Sequence, residues 1–241
     1  MNTALKNKNL QKVTFIKHWT ENLFSFRIQR PASFKFRSGE FVMIGLPNQD
    51  GKPILRAYSI ASPSWSEELE FYSIIVEDGP LTSRLKNIIV NDEIILMPKP
   101  TGTLVLDALR PGKRLFLLSS GTGFAPFSSL IREPETFEKF EKVIVTHTCR
   151  TVKELKYSQD VINDALSDEM ISEFISNKLI FYHSTTREDY INKGRITDLI
   201  TSHKLFKDLE IKKITKDDRI MICGSMGLNN DLKDILGNLN L

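Results

Sequence analysis

The sequence has few cysteines and histidines, and it contains no long apolar run. The two cysteines, Cys149 and Cys223, lie far apart, so they can build neither a disulfide framework nor a CxxC metal site. The four histidines show no ligand spacing, and we expect no protein-bound metal. No apolar run reaches the roughly eighteen residues that cross a bilayer, and residues 1–12 lack the apolar centre of a secretory signal. These features predict a cytoplasmic protein without a membrane span.

The net charge of the chain is also small. The 241 residues carry a formal net charge of +3, which argues against a dedicated nucleic-acid binder. A local basic face can still attract an acidic partner. Hydrophobic residues make up 41% of the chain and charged residues 26%, which is typical of a globular protein with one large or two small domains.

The first half of the sequence consists of short apolar runs separated by Pro, Gly, Asn and Asp. Such runs, rich in Phe, Ile, Val and Tyr, predict a closed antiparallel barrel or a sandwich. The segment Pro80–Ile89 is expected to form a short helix. The predicted strands are Val13–Ile16, Leu23–Ile28, Glu40–Leu46, Arg56–Ala61, Leu69–Val76, Glu93–Met97 and Gly102–Asp107.

The second half has a different period, in which nearly continuous apolar strands alternate with helical patterns. This alternation predicts a parallel sheet covered on both faces. Pro111 and Gly112 punctuate the chain between the halves, so we expect domains at 1–109 and 110–241. The predicted strands are Arg114–Ser119, Lys142–Thr146, Lys178–Tyr182 and Arg219–Cys223, and the predicted helices are Gln159–Ser176 and Gly227–Leu236.

In an open parallel sheet, ligands bind beyond the carboxyl ends of the strands. The first strand of the second half is followed by SSGTGFAP, in which Gly121 and Gly123 allow the backbone to approach a phosphate. Pro126 suits the start of a helix. The same residues suit a tight strand-to-helix turn, and the motif alone does not separate the two interpretations.

Three arginines follow the next two strands, namely Arg150, Arg187 and Arg195, with Thr186 beside them. The planar guanidinium group matches phosphate oxygens, so together they predict a site for a phosphate monoester. Alternatively, each arginine is a solvated surface residue, paired for example with Glu188. The last strand ends in Cys-Gly-Ser, which can be a second ligand loop or a simple turn with a buried cysteine.

The first half contains two further motifs. The run Arg56-Ala57-Tyr58-Ser59 places a cation, an aromatic ring and a hydroxyl on one strand. The turn Asp78–Ser83 leads into a helix whose first N–H groups can receive a pyrophosphate. On the alternative interpretation, Tyr58 is an ordinary strand aromatic and Thr82 a helix cap.

The ordered set RAYS, GPLTSRL, GTGFAP and CGS resembles the ferredoxin/flavodoxin–NADP(H) reductases of the bacterial type. The resemblance covers nearly the whole chain. It implies an FAD-binding antiparallel β-barrel followed by an NADP-binding α/β domain with a parallel sheet, and a flavin between them. It also implies a catalytic set of Tyr58, Ser59 and Cys223.

The resemblance assigns cofactor contacts by position. Arg56 would contact the FAD pyrophosphate, Tyr58 would pack on the flavin ring, and Ser59 would lie near its reactive nitrogen. The implied FAD contacts are Arg56, Ala57, Tyr58, Ser59, Phe71, Tyr72, Ser73, Ile74, Gly79, Leu81, Thr82, Ser83 and Thr122. The implied NADP contacts are Gly121, Thr122, Gly123, Arg150, Thr186, Arg187, Arg195, Gly224 and Ser225.

The implied function is electron transfer between NADPH and a ferredoxin or flavodoxin through FAD, by a monomer. NADPH is preferred over NADH because Arg150, and no acidic residue, follows the second parallel strand. Two alternatives stay open: an NADH-dependent reductase component of an oxygenase, and a non-catalytic cofactor-binding regulatory module. In the family the chain usually continues well past the CGS helix, whereas this sequence stops at 241. We therefore expect either that the C-terminal tail is missing from this sequence or that the protein leaves one face of its cofactor open.

Overall fold

The first sheet forms an antiparallel barrel in the amino-terminal half of the chain. The computed structural model describes residues 9–47 and 52–238. Residues 239–241, with which the sequence ends, lie outside the described ranges. Successive side chains of a strand point to opposite faces of the sheet, so every second residue points into the barrel core. The elements are β1 (Leu10–His18), β2 (Leu23–Gln29), β3 (Phe41–Pro47), β4 (Pro53–Ser59), β5 (Glu68–Ile74), helix α1 (Thr82–Leu85) and β6 (Glu93–Leu96).

The strands of this sheet are ordered β4-β3-β6-β1-β2-β5. Its two outer strands meet, since the amide of Ala61, just past β4, donates a 2.8 Å hydrogen bond to the carbonyl of Glu70 on β5. Phe24, Phe26 and Ile28 alternate along β2 and are fully buried in the barrel. The predicted antiparallel barrel is therefore confirmed, and closure leaves few unpaired edges.

One predicted strand is wrong. The segment Gly102–Asp107 does not form a strand: only the preceding residue, Thr101, makes an isolated bridge, to Phe41. A 3-10 turn, Leu106–Ala108, follows instead. Alternation of apolar residues predicts a strand, but a strand also needs a partner ladder, and here pairing with the barrel stops after one bridge.

The second sheet is parallel, as predicted, with the order β10-β7-β8-β9. Its strands read as almost uninterrupted apolar runs because helices cover both faces. The elements are β7 (Arg114–Ser120), α2 (Ala125–Leu130), α3 (Pro134–Lys139), β8 (Lys142–Cys149), α4 (Lys156–Ser167), α5 (Ser172–Ile175), β9 (Leu179–Thr185), α6 (Ile196–Thr201), α7 (Lys204–Asp208), β10 (Arg219–Cys223) and α8 (Met226–Asn238).

The single helix predicted over Gln159–Ser176 is two helices, α4 and α5. Asp168 has an extended backbone that ends α4. Its carboxylate accepts hydrogen bonds from the amides of Met170 at 2.8 Å and Ile171 at 3.3 Å. A short acidic side chain that bonds its own downstream amides favours a turn over a continued helix.

The two lobes meet along a packed seam formed mainly by α2, α4 and β5. The ring of Tyr157 on α4 stacks on Tyr72 of β5, with centroids 4.0 Å apart and an interplanar angle of 17°. The Tyr157 hydroxyl donates to Glu70, which also pairs with Arg132 at 3.3 Å. A buried ion pair with additional hydrogen bonds holds its partners in one geometry, so the seam keeps the lobes in a defined relation. None of the helices in the described ranges 9–47 and 52–238 is both long and apolar enough to cross a bilayer.

Candidate functional site

A cleft of about 920 Å³ lies between the barrel and the parallel sheet. On the sheet side it covers the carboxyl ends of β7 and β10, which are neighbours in the sheet. After β7 the chain runs through β8 and β9 on one side, whereas β10 returns to the other side. This reversal of strand order opens the crevice in which doubly wound sheets bind their ligands.

The barrel wall of the cleft carries the Arg56–Ser59 motif on β4. Arg56 is exposed and lines the cleft together with Tyr58 and Ser59. The Tyr58 hydroxyl lies 3.1 Å from the Ser73 hydroxyl on β5, which fixes the ring against the wall. Burial raises the pKa of Tyr58, so its phenol stays protonated at neutral pH. Thus a cation, an aromatic ring held by a hydrogen bond and the Ser59 hydroxyl line the cleft together.

Tyr72 forms the back of the same wall. Its ring is sandwiched on Tyr157, and burial raises the pKa of its phenol well above the usual range. Within residues 9–47 and 52–238, the Tyr72 hydroxyl is buried without a hydrogen-bond partner. A buried polar atom without a partner costs free energy. A polar group of a bound ligand would therefore be stabilised here.

The turn before α1 forms the outer rim. The Thr82 hydroxyl lies 3.2 Å from both the amide and the carbonyl of Val76, and it closes the turn. A Cβ atom on Gly79 would lie 2.3 Å from that hydroxyl, so this turn needs glycine. Gly79, Leu81 and Thr82 line the cleft, and the Thr82 hydroxyl is engaged in the turn itself.

The floor of the cleft is the loop that follows β7. It begins with Gly121 in the left-handed region at φ 52° and continues as a 3-10 turn to Phe124. A Cβ atom on Gly123 would lie 2.2 Å from the carbonyl oxygen of Cys223, and one on Gly224 would lie 2.7 Å from the Ser120 hydroxyl. The loops after β7 and β10 are therefore in direct backbone contact, and the glycines that the motifs predicted are brought together.

Cys223, predicted as catalytic, lines the cleft at this contact. Burial raises the pKa of its thiol to about 11. The sulfur is therefore a neutral thiol at physiological pH and a poor nucleophile. It can pack against a ligand.

A side pocket of about 400 Å³ opens from the cleft at the ends of β8 and β9. Two neighbouring carboxylates have other partners: Glu188 accepts from the amide of Val152 at 2.7 Å, and Asp189 pairs with Lys193 at 2.5 Å. A third carboxylate, that of Asp198, lines the pocket itself. None of the pocket's arginines forms an ion pair within the described ranges. The pocket suits a dianionic phosphate. Its lining residues are Arg150, Thr186, Arg187, Gly194, Arg195 and Asp198.

Two residues assigned by resemblance do not line either space. Phe71 is fully buried in the barrel core between Phe26 and Tyr58, with ring centroids 5.4 and 6.2 Å away. Ser83 lies on α1 outside the cleft lining. Their contacts with FAD stay predictions. All the other residues of the two predicted sets line the cleft or the side pocket.

The sequence motifs missed several lining residues. Glu154 lies in the cleft wall and accepts from the amide of Arg150 at 2.8 Å, which shapes the turn after β8. In the sequence, only the position of Glu154 four residues after Arg150 indicates that it lies near this turn. The lining residues outside the predicted sets are Leu23, Val76, Pro80, Ser120, Ala125, Thr148, Cys149, Glu154, Ile196, Thr197, Gly227, Leu228 and Asp231.

Known families match both lobes. Residues 8–105 match the oxidoreductase FAD-binding domain, and residues 117–234 match the oxidoreductase NAD-binding domain. The chain is 56% identical over 232 residues to a flavodoxin/ferredoxin–NADP reductase of Rhodobacter capsulatus, with 96% of this chain and 86% of the relative covered. It is 48% identical over 238 residues to a ferredoxin–NADP reductase of Azotobacter vinelandii, with coverages of 98% and 92%.

The fold also matches a solved structure. A ferredoxin NADP+ reductase from Neisseria gonorrhoeae, with bound FAD and NADP, superposes with a TM-score of 0.86. The two sequences are 28% identical, and the match covers 95% of this chain and 90% of that one.

Proposed function

Because this chain belongs to the ferredoxin/flavodoxin–NADP reductases, we propose that the wall and floor of its cleft hold FAD and NADPH against each other. The enzyme passes electrons between NADPH and a ferredoxin or flavodoxin, with FAD as its cofactor. One observation carries the residue assignment: the cation and aromatic ring of the barrel face a glycine floor and an arginine pocket across one cleft.

FAD supplies the chemistry that joins two-electron exchange with NADPH to one-electron exchange with the carrier. The chain's contribution is to hold it. Arg56 would pair with the FAD pyrophosphate. Tyr58, whose hydroxyl is hydrogen-bonded to Ser73, would pack on the flavin ring, and Ser59 would donate a hydrogen bond to the edge of that ring. The unpartnered Tyr72 hydroxyl fits a polar atom of the same cofactor. The remaining proposed contacts are Ala57, Phe71, Ile74, Gly79, Leu81, Thr82, Ser83 and Thr122.

The coenzyme contacts follow from the floor and the side pocket. Arg150, Arg187 and Arg195 would bind the 2′-phosphate of NADP, because three guanidinium groups against the one carboxylate of Asp198 leave the pocket lining positively charged and favour a dianion. Thr186 would add a hydroxyl. The nicotinamide end would enter over the loops after β7 and β10, at Gly121, Thr122, Gly123, Gly224 and Ser225.

Tyr58 and Cys223 complete the proposed site through packing. Burial keeps the phenol and the thiol protonated at neutral pH, so neither acts as a base or a nucleophile. The side chains of Tyr58 and Cys223 would exclude water from the space between the flavin ring and the nicotinamide ring. Ser59, whose residue lines the cleft beside Tyr58, is the group proposed to hydrogen-bond at the reacting edge of the flavin.

The carrier would approach the open rim of the cleft. The chain is weakly basic, and we infer that a basic face steers an acidic carrier, in which case its reduction slows as salt rises. Equal carrier reduction rates at low and high salt would exclude steering. A monomeric state, a cytoplasmic location and a domain boundary between residues 109 and 110 are parts of the same proposal.

The test is a visible absorption spectrum of the purified protein, followed by stopped-flow mixing with NADPH or NADH. We expect a yellow protein that NADPH bleaches much faster than NADH does. Similar rates with both coenzymes would favour an oxygenase reductase component. A colourless protein without turnover would favour a regulatory module.

A further inference from the structure

His147 lies under the floor of the cleft, in the interior of β8, and its side chain is fully buried. Its Nε2 atom lies 2.9 Å from the carbonyl oxygen of Gly121. A carbonyl oxygen can only accept, so Nε2 carries a proton and donates to it. The imidazole thus bonds the first residue of the loop that forms the cleft floor.

The other ring nitrogen is held from the opposite side. Nδ1 lies 2.7 Å from the hydroxyl of Ser158, in the first turn of α4. Burial lowers the pKa of His147 to about 4, so the ring is neutral at physiological pH. With Nε2 protonated, Nδ1 has only a lone pair. The single proton of the Ser158 hydroxyl has two acceptors within reach, Nδ1 at 2.7 Å and the carbonyl oxygen of Leu155 at 2.8 Å, and only donation to Nδ1 satisfies the ring. Ser158 therefore selects the tautomer that can bond Gly121.

The ring is also packed on its faces and edge. Phe124 stacks on it with centroids 4.9 Å apart and an angle of 30°. The sulfur of Cys149 lies 3.2 Å from Nε2. A ring confined in this way has lost its rotational freedom during folding, so its hydrogen bond to Gly121 is already oriented.

The backbone of Gly121 is also hydrogen-bonded to the Cys149 side chain, the neighbour of His147 on β8. Gly121 is in the left-handed region, and a Cβ atom placed on it would meet nothing within 4 Å. The space above it is the open cleft, so the contacts that orient its peptide, from His147 and Cys149, come from β8. The next residue, Thr122, lines the cleft and belongs to both proposed contact sets, for FAD and for NADP.

We propose that His147 is a positioning residue: its Nε2–H fixes the Gly121 carbonyl and so keeps the loop 120–123 in the conformation that receives the nicotinamide nucleotide. This inference rests on the proposed function of that loop. His147 itself lies outside the lining of the cleft and of the side pocket. Its effect passes through the peptide of Gly121, and the bond from Ser158 keeps the donor on the correct nitrogen.

The test compares two substitutions of similar size in the FAD-loaded enzyme. His147→Gln keeps an N–H group near the position of Nε2, whereas His147→Met fills the same space without a donor. Loss of a hydrogen bond to a confined carbonyl weakens binding by about tenfold. We therefore expect His147→Met to raise the Kd of NADP+ about tenfold, measured by difference absorbance. His147→Gln should stay within about threefold of wild type.

Amide hydrogen exchange of residues 121–124 gives a second readout, independent of coenzyme binding. We expect exchange there to accelerate in His147→Met and to remain slow in His147→Gln. Ser158→Ala keeps the imidazole and loses the donor to Nδ1, together with the hydroxyl contact to the Leu155 carbonyl. It should change both quantities in the same direction by a smaller factor, which keeps the test available if His147→Met does not fold.

Unchanged NADP+ affinity and exchange in His147→Met would overturn the proposal, as would equal defects in the Gln and Met variants. Failure of the proposed function looks different. Wild-type enzyme would then not bind NADP+, while the exchange of residues 121–124 would still respond to His147.

Discussion

A Cβ atom on Gly123 would lie 2.2 Å from the carbonyl oxygen of Cys223 and 2.8 Å from the amide nitrogen of Gly224. Both obstacles are backbone atoms, which cannot rotate away as a side chain can. The loops after β7 and β10 therefore meet at a distance that only glycine permits. This contact builds the floor on which the coenzyme is proposed to lie.

We expect Gly123→Ala to force the two loops apart. Overpacking of this kind costs about 1–3 kcal/mol of unfolding free energy, and it should also weaken NADP+ binding. Urea denaturation and NADP+ titration of the FAD-loaded enzyme measure the two effects. Gly237→Ala is the control, because nothing lies within 4 Å of the added Cβ on α8, and it should be neutral or slightly stabilising. Equal behaviour of the two variants would contradict the close contact.

The side pocket predicts the basis of coenzyme choice. Arg195→Ala should raise the KM for NADPH by about tenfold or more, because a charge-assisted contact to the 2′-phosphate is lost, and should leave the KM for NADH nearly unchanged. Lys193→Ala removes a cation from the same loop, but Lys193 already pairs with exposed Asp189. That control should have little effect. A parallel loss with both coenzymes in Arg195→Ala would argue against 2′-phosphate recognition.

Ser59 separates binding from reaction. Ser59→Ala should slow flavin reduction by NADPH about tenfold, while the Kd for FAD changes by much less. Stopped-flow bleaching gives the rate, and FAD titration of the apoprotein gives the affinity. Ser62→Ala is a matched change just beyond β4: its buried hydroxyl accepts from the Glu70 amide, outside the cleft lining. It should affect stability and leave the bleaching rate unchanged. A Ser59→Ala enzyme as fast as wild type would remove this role.

His147 predicts a pH dependence of stability. Its pKa is about 4 in the folded protein and about 6.5 when unfolded. The unfolded chain therefore binds more protons between these values, and the free energy of unfolding falls as pH drops through that window. The contribution of this residue is about 3 kcal/mol. Cys149 and His183 are the titratable groups facing the ring; Cys149 stays protonated, and burial also lowers the pKa of His183.

Urea denaturation at pH 7 and at pH 4 measures this effect. His147→Gln has no titrating ring, so its loss of stability over the same range should be smaller than that of wild type by about that amount. The carboxylates and His183 titrate in both proteins and cancel in the comparison. Identical pH slopes for the two proteins would show that the imidazole is not buried as a neutral ring.

Local patterns determined the two-part fold and most of the cleft. Strands such as β2 and β7 were predictable because the spacing of their apolar residues and the turn residues that flank them can be read from short local segments of the sequence. The motifs around Tyr58, Gly121 and Arg195 identified cleft residues, because each is a short run with its own chemistry. The pattern misled at Gly102–Asp107, where pairing with a distant strand decides the structure. It also misled at Asp168, where a side chain ends the helix.

What the tertiary structure decided are the contacts between those runs. Nothing near His147 in the sequence indicates that it bonds Gly121 and Ser158, and nothing near Gly123 indicates the carbonyl of Cys223. These pairs arise because parallel strands bring the carboxyl ends of distant segments to one edge of the sheet. The sequence determines which chemical group stands at each position. The distances between groups across that edge depend on strand order and packing, which only the folded chain establishes.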